Sequence, residues 1–215
     1  MYTLIGIFTA LLSLFGRLLY RMRVEGVENL PEEGPYIVSS NEIGRMGSIM
    51  TSVFIARRIL RGLTVAPVGF AEEYEWSGMW GPVYDRGSAR PIFPHGRGQG
   101  VLALLTALRS LREGKIVMMN PGGEMSWDGR LVPAKRGVAW LGLRSGAPIV
   151  LVVATKGAYQ VWPKWAKRPQ LTGRFQVRVG KPFRLTDSPC SKVSDEMIAG
   201  ANQRIAEEMT ALIYR

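Results

Sequence analysis

Apolar residues recur along this chain with two different spacings, and each spacing predicts its own kind of element. At residues 100–112 they recur every three or four positions, which is the period of an amphipathic helix. A second amphipathic helix is predicted to follow Ser194, a typical N-cap residue. Residues 148–154 form a continuous, β-branched apolar run, which is typical of a strand that is buried on both faces. The apolar face of the C-terminal helix comprises Ile198, Ala201, Ile205, Met209 and Leu212.

The rest of the pattern alternates short strands with helices. Further strands are predicted at 36–39, 65–70, 115–119 and 174–179, and further helices at 48–61 and 136–144. The segment 80–85 is predicted to be extended, and 87–100 to be a loop because it is rich in Gly and Pro. Strands that alternate with helices predict an α/β fold, in which helices flank a largely parallel central sheet.

The N-terminus predicts contact with a membrane. Its first sixteen residues carry no charge, and Arg17, Arg21 and Arg23 follow. Sixteen helical residues span about 24 Å against a hydrocarbon core of about 30 Å, so a spanning, a re-entrant and an interfacial helix all stay open, besides a buried core helix. We expect residues 1–22 to form a hydrophobic anchoring or interfacial helix. The arginines place the domain 23–215 on the cytoplasmic face, and the charge order argues against a secretory signal.

A net charge of +11 indicates an anionic partner. No nucleic-acid module is recognisable and the basic residues are dispersed, so we expect anionic membrane lipids and no nucleic acid. Trp162, Lys164 and Trp165 combine aromatic and basic side chains in the way that membrane-contact segments do, although the tryptophans would alternatively cap the core. The lone Cys190 excludes an intrachain disulfide, and no Cys/His cluster suits a metal. We therefore expect neither a metal nor a cofactor.

A glycine-rich turn, NPGGEMS at 120–126, follows a predicted buried strand. Turns in this position hold anionic ligands in α/β proteins. The turn, the block WGPVYDR at 80–86 and the strand GAPIVLVV at 146–153 occur in the order and spacing of one family, and the similarity extends from about Val24 to Leu185. The chain resembles the glycerophospholipid acyltransferase family (1-acylglycerol-3-phosphate acyltransferase-like), in which the turn reads FPEGTRS.

The resemblance implies a glycerol-3-phosphate acyltransferase-like fold and a reaction. A fatty acyl group would pass from an acyl thioester, carried by coenzyme A or acyl carrier protein, to a lysophospholipid or related lipid hydroxyl. In the family an Asn-His pair carries this reaction, and an Asp five residues after the His orients the imidazole. The matching positions here hold Asn41, Glu42 and Gly47, so the base and its orienting partner are both replaced.

Glu42 is our candidate for the replacement base, with Asn41 beside it at the reactive end. A glutamate with its ordinary pKa of about 4.3 is ionised at neutral pH but is a weaker base than imidazole. Glu124 in the glycine turn and His95, the only histidine, are alternative candidates. Glu42 would otherwise be an ordinary loop carboxylate, and the chain a non-catalytic acyl-lipid-binding protein on the same scaffold. The sequence leaves this choice open.

The same resemblance implies an acceptor-binding set, in which the Arg of the 80–86 block and the glycine turn contact a phosphate. Glu124 and Met125 replace the Thr and Arg of the family's turn, which is expected to weaken phosphate binding. We therefore do not expect the acceptor to be simply lysophosphatidic acid. The predicted substrate-binding residues are Asp85, Arg86, Gly122, Gly123, Ser126 and Lys135.

Overall fold

The computed structural model describes residues 11, 14–45, 68–70, 91–92 and 99–215 of the chain. The predicted helix 48–61 and the extended piece 80–85 lie outside these residues, as does most of the predicted helix 1–22. Within the described residues, seven strands form one sheet in the order β1-β7-β6-β2-β5-β3-β4. The strands are β1 (Arg23–Glu25), β2 (Tyr36–Ser40), β3 (Val68–Phe70), β4 (Pro91–Ile92), β5 (Ile116–Met118), β6 (Ile149–Ala154) and β7 (Gln176–Val179).

The sheet is mostly parallel, which confirms the predicted α/β fold with a largely parallel central sheet. β2 pairs in parallel with both β5 and β6, with Val38 opposite Met118 and Ser40 opposite Val152. The antiparallel pairing is that of β7 with β6. β7 in turn pairs in parallel with β1. The centre of the sheet is therefore a parallel β5-β2-β6 unit, and all three strands end at the same edge.

In the described residues, helices pack against both faces of the sheet. They are α1 (Gln99–Arg112), α2 (Arg136–Ser145), α3 (Lys156–Val161) and α4 (Asp195–Tyr214). Along β6 the side chains alternate between two hydrophobic clusters. Ile149, Leu151 and Val153 pack with α1, α2 and α4, whereas Val150 and Val152 pack in the cluster that contains Phe175 and the end of α3. This two-sided burial explains why β6 is apolar along its whole length.

The helix ends follow the sequence signals. Gly114 and Gly146 end α1 and α2 in the left-handed conformation, with φ of 78° and 64°, which a glycine adopts without steric cost. Ser194 caps α4, where its hydroxyl accepts a hydrogen bond from the Met197 backbone N–H at 3.3 Å. The buried face of α4 contains Ile198, Ala201, Ile205 and Met209, as predicted; Leu212 is partly buried against the same cluster.

Several local differences from the sequence predictions emerge, and one of them is β1, since no strand was predicted at 23–25. Residues 14–19 are helical, but the helix ends there, so the boundary predicted at 22 is wrong and Met22 is instead a buried core residue. α3 was not predicted, and β4 falls inside the segment 87–100 that was predicted to be a loop. Among the helices of the described chain, none is both long and apolar enough to cross a membrane.

Candidate functional site

The candidate site lies where β5, β2 and β6 end. Because the carboxyl ends of parallel strands meet at one edge, the segment 41–45 after β2 lies beside the glycine turn 120–126 after β5. The contact is direct: the Ser126 backbone N–H donates to the Glu42 carbonyl at 3.1 Å. This edge is where open α/β sheets bind their ligands. The structure thus brings Asn41 and Glu42 together with the turn, although Glu42 and Asn120 are 78 positions apart in sequence.

Asn41 is buried, and both ends of its amide are bonded to the backbone of one residue. Its Nδ2 donates to the Ala154 carbonyl at 2.8 Å, and its Oδ1 accepts from the Ala154 N–H at 2.9 Å. This exchange closes the gap between β2 and β6 beyond their last ladder pair. The side chain of Asn41 therefore fixes the strand ends, and its assignment to the reactive end stays a prediction.

Glu42 is half-buried, and its backbone adopts a left-handed conformation with φ of 25°. A non-glycine residue pays about 1–3 kcal/mol for a sparsely populated conformation, and such residues cluster at functional sites. The Glu42 carboxylate accepts a hydrogen bond from Nδ2 of Asn120. The Ser40 hydroxyl donates to Oδ1 of the same Asn120 at 2.5 Å. Asn120 therefore bridges the last residue of β2 and the candidate base.

The glycine turn is held close to the chain by backbone bonds. The Gly123 N–H donates to the Asn120 carbonyl at 3.2 Å, and the Lys135 N–H donates to the Pro121 carbonyl at 2.8 Å. Gly123 has φ of 63°, a conformation that suits glycine. A Cβ on Gly122 would lie 2.7 Å from Cβ of Val132. The glutamate that the family's turn carries at position 122 therefore has no room here.

Lys135 and Glu124 form an exposed pair above this turn. Their Nζ and Oε1 atoms are 3.6 Å apart, and the side chains are 64% and 48% exposed. The aliphatic part of Lys135 lies over Gly123, since a Cβ there would be 3.4 Å from Cδ of the lysine. A pair this exposed contributes little to stability, so an anionic ligand competes with Glu124 at low cost. Whether Glu124 acts as an alternative base stays a prediction.

Ser126, predicted to bind substrate, is buried at 2% exposure and is used within its own turn. Its Oγ accepts from the Gly129 N–H at 2.9 Å and donates to Oδ1 of Asp128 at 3.2 Å. The Arg130 backbone N–H bonds the same carboxylate at 3.0 Å. The Arg130 N–H and, more weakly, the Ser126 hydroxyl lower the pKa of Asp128. The hydroxyl of Ser126 thus shapes the turn, and only its backbone reaches Glu42.

An aromatic and basic surface adjoins the site. Trp127 directly follows Ser126 and is 61% exposed, and Lys164 Nζ lies 4.4 Å from the centroid of its ring. The Tyr159 hydroxyl donates to the Trp127 carbonyl at 2.6 Å and accepts from the Trp165 indole N–H at 3.1 Å. Trp165 is itself 66% exposed. We call Trp127, Tyr159, Lys164 and Trp165 the aromatic surface.

Trp162 differs from its neighbours. It is half-buried against the core cluster on its face of the sheet, and its indole N–H donates to the Ala166 carbonyl at 3.1 Å. The alternative that this tryptophan caps the core is therefore the one the geometry supports. Trp127, which was not assigned to this surface from the sequence, occupies the exposed position instead. In the sequence, the position of Trp127 directly after the glycine turn was the only indication that it lies near the site.

Gly47, Asp85, Arg86 and His95 lie outside the described residues. Within the described part of the chain, no group of three or more His, Cys, Asp or Glu side chains is arranged to hold a metal ion. The expectation that the protein needs no metal stays a prediction.

Comparison with known proteins assigns the scaffold. The model of the family described as Acyltransferase matches residues 21–155, more than half of the chain. The chain belongs to the Acyltransferase family. The matched range contains β1, β2, β5, the whole of β6 and the glycine turn, so it includes Asn41, Glu42 and Lys135 of the candidate site.

Two curated relatives of this chain carry the same name, 1-acyl-sn-glycerol-3-phosphate acyltransferase. They come from Limnanthes alba and Limnanthes douglasii, and each is 30% identical to this chain over 119 residues. The alignment covers 53% of this chain but 39% of each relative, so the chain spans about two fifths of their length.

A solved structure supports the fold. The crystal structure of the 1-acyl-sn-glycerophosphate acyltransferase PlsC from Thermotoga maritima is similar to this chain with a TM-score of 0.66 and 21% sequence identity. The similarity covers 94% of this chain and 80% of that one. At this identity the likeness concerns the arrangement of helices and strands.

Proposed function

We propose that this protein transfers a fatty acyl group from an acyl thioester to the hydroxyl of a lysophospholipid or a related lipid. Family membership and the names of the two plant relatives support acyl transfer. The observation that carries the proposal is the Glu42 carboxylate, which is fixed beside the glycine turn at the carboxyl edge of the sheet. It occupies the position of the family's base.

In the proposed reaction Glu42 acts as the general base. Its carboxylate accepts the proton of the acceptor hydroxyl while the hydroxyl oxygen attacks the thioester carbonyl carbon. The tetrahedral intermediate collapses, the carbon–sulfur bond breaks, and the departing thiolate takes the proton from Glu42. The products are an ester and a free thiol, and the carboxylate is restored. The thiol carrier is coenzyme A or acyl carrier protein.

Lys135 is the described cation best placed for an anionic acceptor. Its ammonium group lies over the glycine turn that follows β5, and this turn is hydrogen-bonded to Glu42 through the Ser126 N–H. Glu124 competes for this ammonium group, which agrees with an acceptor that carries less negative charge than a phosphate monoester. The expected contributions of Asp85 and Arg86 concern residues outside the described part of the chain.

We further propose that the protein works on the cytoplasmic face of an anionic membrane. Apolar side chains are exposed in the helical residues 14–19: Leu14 is 50%, Phe15 52% and Leu18 74% exposed. Arg17 and Arg21, the predicted headgroup contacts, are exposed beside them. Such a segment is typical of a helix that lies in the membrane interface.

The aromatic surface lies on the same side of the sheet as this segment. Tyr20, which ends the segment, packs on Phe175 with ring centroids 6.4 Å apart. Both rings belong to the core cluster against which Trp162 packs, and the exposed Trp165 follows Trp162 by three positions. Lys167 and Arg168 are exposed next to it. Exposed tryptophan with adjacent cations suits an anionic lipid interface.

The experiment that tests the proposed function is a transfer assay with the full chain. A radiolabelled palmitoyl thioester, as coenzyme A and as acyl carrier protein, is supplied with a panel of lysophospholipids and monoacylglycerol. Formation of a labelled diacyl lipid supports the proposal, and the acceptor preference identifies the substrate. If no acceptor is acylated but the labelled thioester or lysolipid binds with saturation, the protein is a binding protein on this scaffold. The replacement of both dyad members at 42 and 47 favours that alternative.

A further inference from the structure

Asn120 connects two polar groups that no other described contact joins. Its amide lies between the Ser40 hydroxyl at the end of β2 and the Glu42 carboxylate two residues later. Asn120 itself follows β5, the neighbouring strand. The position corresponds to the Phe that opens the family's FPEGTRS turn. A polar residue at 120 thus accompanies a carboxylate at 42 in the same chain.

The chemistry of these groups fixes the orientation of the amide. An ionised carboxylate only accepts hydrogen bonds, so the Asn120 NH₂ group must face Glu42. Its carbonyl then faces Ser40, whose hydroxyl donates at 2.5 Å. Each group has the partner that its donor or acceptor character requires. Bonds to a charged acceptor are about twice as strong as neutral ones, so this contact restrains the carboxylate.

The backbone of Glu42 is restrained from the same side. Its carbonyl accepts from the Ser126 N–H at 3.1 Å. The preceding Asn41 is bonded twice to Ala154. The left-handed φ of Glu42 persists because these contacts hold it. Side chain and backbone are thus both held by the segment after β5, as a preorganised base requires.

We propose that Asn120 is a positioning residue, which holds the Glu42 carboxylate in the orientation that accepts the proton of the acceptor hydroxyl. The inference rests on the proposed function. The two oxygens of a carboxylate offer about four lone-pair sites, and the hydrogen bond from Asn120 uses one of them. Asn120 would thereby serve Glu42 without touching substrate.

The test is a double-mutant cycle on kcat with the full chain and the best acceptor of the panel. The variants are Asn120→Leu, which keeps the branched shape of the side chain but removes its hydrogen-bonding groups, Glu42→Gln, and the two combined. We expect Asn120→Leu to lower kcat by about 10–100-fold, since a misplaced catalytic group costs up to about that much, while KM changes less than about threefold. In the Glu42→Gln background the same substitution should change kcat by less than about threefold, because the two residues act as one unit.

A pair of serine variants keeps the test informative if Asn120→Leu does not fold. Ser40→Ala removes the hydroxyl that orients the amide, so we expect a drop in kcat of about 3–10-fold from loss of part of the positioning. Ser39→Ala is the matched control. Ser39 also donates a hydrogen bond across to the segment after β5, to the Met119 carbonyl at 2.9 Å, but has no bond to Asn120 or Glu42 among the described contacts. It should lower stability without lowering kcat.

The outcomes separate this inference from the proposed function. If the wild-type protein acylates no acceptor, the proposed function is wrong and the inference falls with it. If the wild type is active and Asn120→Leu and Ser40→Ala keep its kcat, or if Asn120→Leu is additive with Glu42→Gln, the inference alone is overturned. A loss of kcat that disappears in the Glu42→Gln background supports it.

Discussion

Asn41 and Ala154 exchange two hydrogen bonds across 113 positions of sequence, and they join the ends of β2 and β6 beside Glu42. An amide that satisfies both the N–H and the carbonyl of one buried residue extends the ladder by one step. Because Glu42 follows Asn41 directly, the exchange also fixes the position of the Glu42 backbone relative to β6. The polar side chain of Asn41 has a structural use that is independent of any substrate.

Asn41→Ala should therefore destabilise the protein. The substitution leaves the N–H and the carbonyl of Ala154 unsatisfied in a buried position, which costs about 2–4 kcal/mol in the free energy of unfolding. Asn29→Ala is the matched control, because Asn29 makes a single described side-chain bond, to the Val179 carbonyl at 2.9 Å. Urea unfolding measures both variants. If both substitutions lower the free energy of unfolding equally, the two hydrogen bonds between Asn41 and Ala154 stabilise the protein no more than the single bond of Asn29.

Glu124→Gln should strengthen binding of a phosphate-bearing acceptor. Glu124 pairs with the Lys135 ammonium group, so without its carboxylate an anionic acceptor no longer competes with Glu124 for this group. Exposed ion pairs of this kind contribute up to about 1 kcal/mol. We expect KM for lysophosphatidic acid to fall by up to about fivefold, with no change for uncharged monoacylglycerol. The measurement is the steady-state rate at varied acceptor concentration.

A second exposed ion pair provides the control for this experiment. Asp195→Asn breaks the pair between Arg136 and Asp195, whose atoms are 2.6 Å apart at the start of α4. That pair does not include the glycine turn, so KM should stay at its wild-type value. A KM for lysophosphatidic acid that is unchanged in Glu124→Gln would show that Lys135 does not contact the acceptor.

Trp165→Ala should weaken binding to anionic membranes. The indole is 66% exposed, so it would bury apolar area in the interface, and the exposed cations Lys167 and Arg168 follow it closely in sequence. We expect about tenfold weaker co-sedimentation with vesicles of phosphatidylglycerol and phosphatidylcholine, and little binding of either protein to pure phosphatidylcholine.

Tyr214→Ala is the matched control for the membrane experiment. Tyr214 is 82% exposed but belongs to α4, which packs on the opposite face of the sheet. Its removal should leave vesicle binding intact. If the two substitutions weaken binding equally, or if neither does, the aromatic surface does not face the membrane.

Much of the fold follows from periodicity, because α1, α2, α4 and the central strands bury regular apolar faces. The prediction failed where tertiary contacts outweigh local preference. α3 has the sequence KGAYQV, which contains a glycine and a β-branched residue and is a poor helix former. It is stabilised by burial of Ala158 and Val161 in the core. The antiparallel direction of β7 likewise depends on its two neighbours and not on its own sequence.

The candidate site was predictable only in part. The Glu42 position and the glycine turn follow from the resemblance, because both are contiguous motifs. Asn120 carries no such signal, since an asparagine before Pro-Gly-Gly is also an ordinary turn residue. Its link to Glu42 spans 78 positions and appears only when β2 and β5 are paired. The structural use of Asn41 was hidden for the same reason, because its partner Ala154 lies 113 positions away in sequence.

The most direct test of the account is the turnover number of Glu42→Gln with the best acceptor, beside the wild type. Glu28→Gln, which removes an exposed carboxylate from the 3₁₀ turn after β1, is the control and should keep full activity. If Glu42 is the base, its replacement lowers kcat by about 10²–10⁴-fold, the usual contribution of general-base catalysis, while the protein stays folded. A folded Glu42→Gln protein that retains the wild-type kcat would contradict the account.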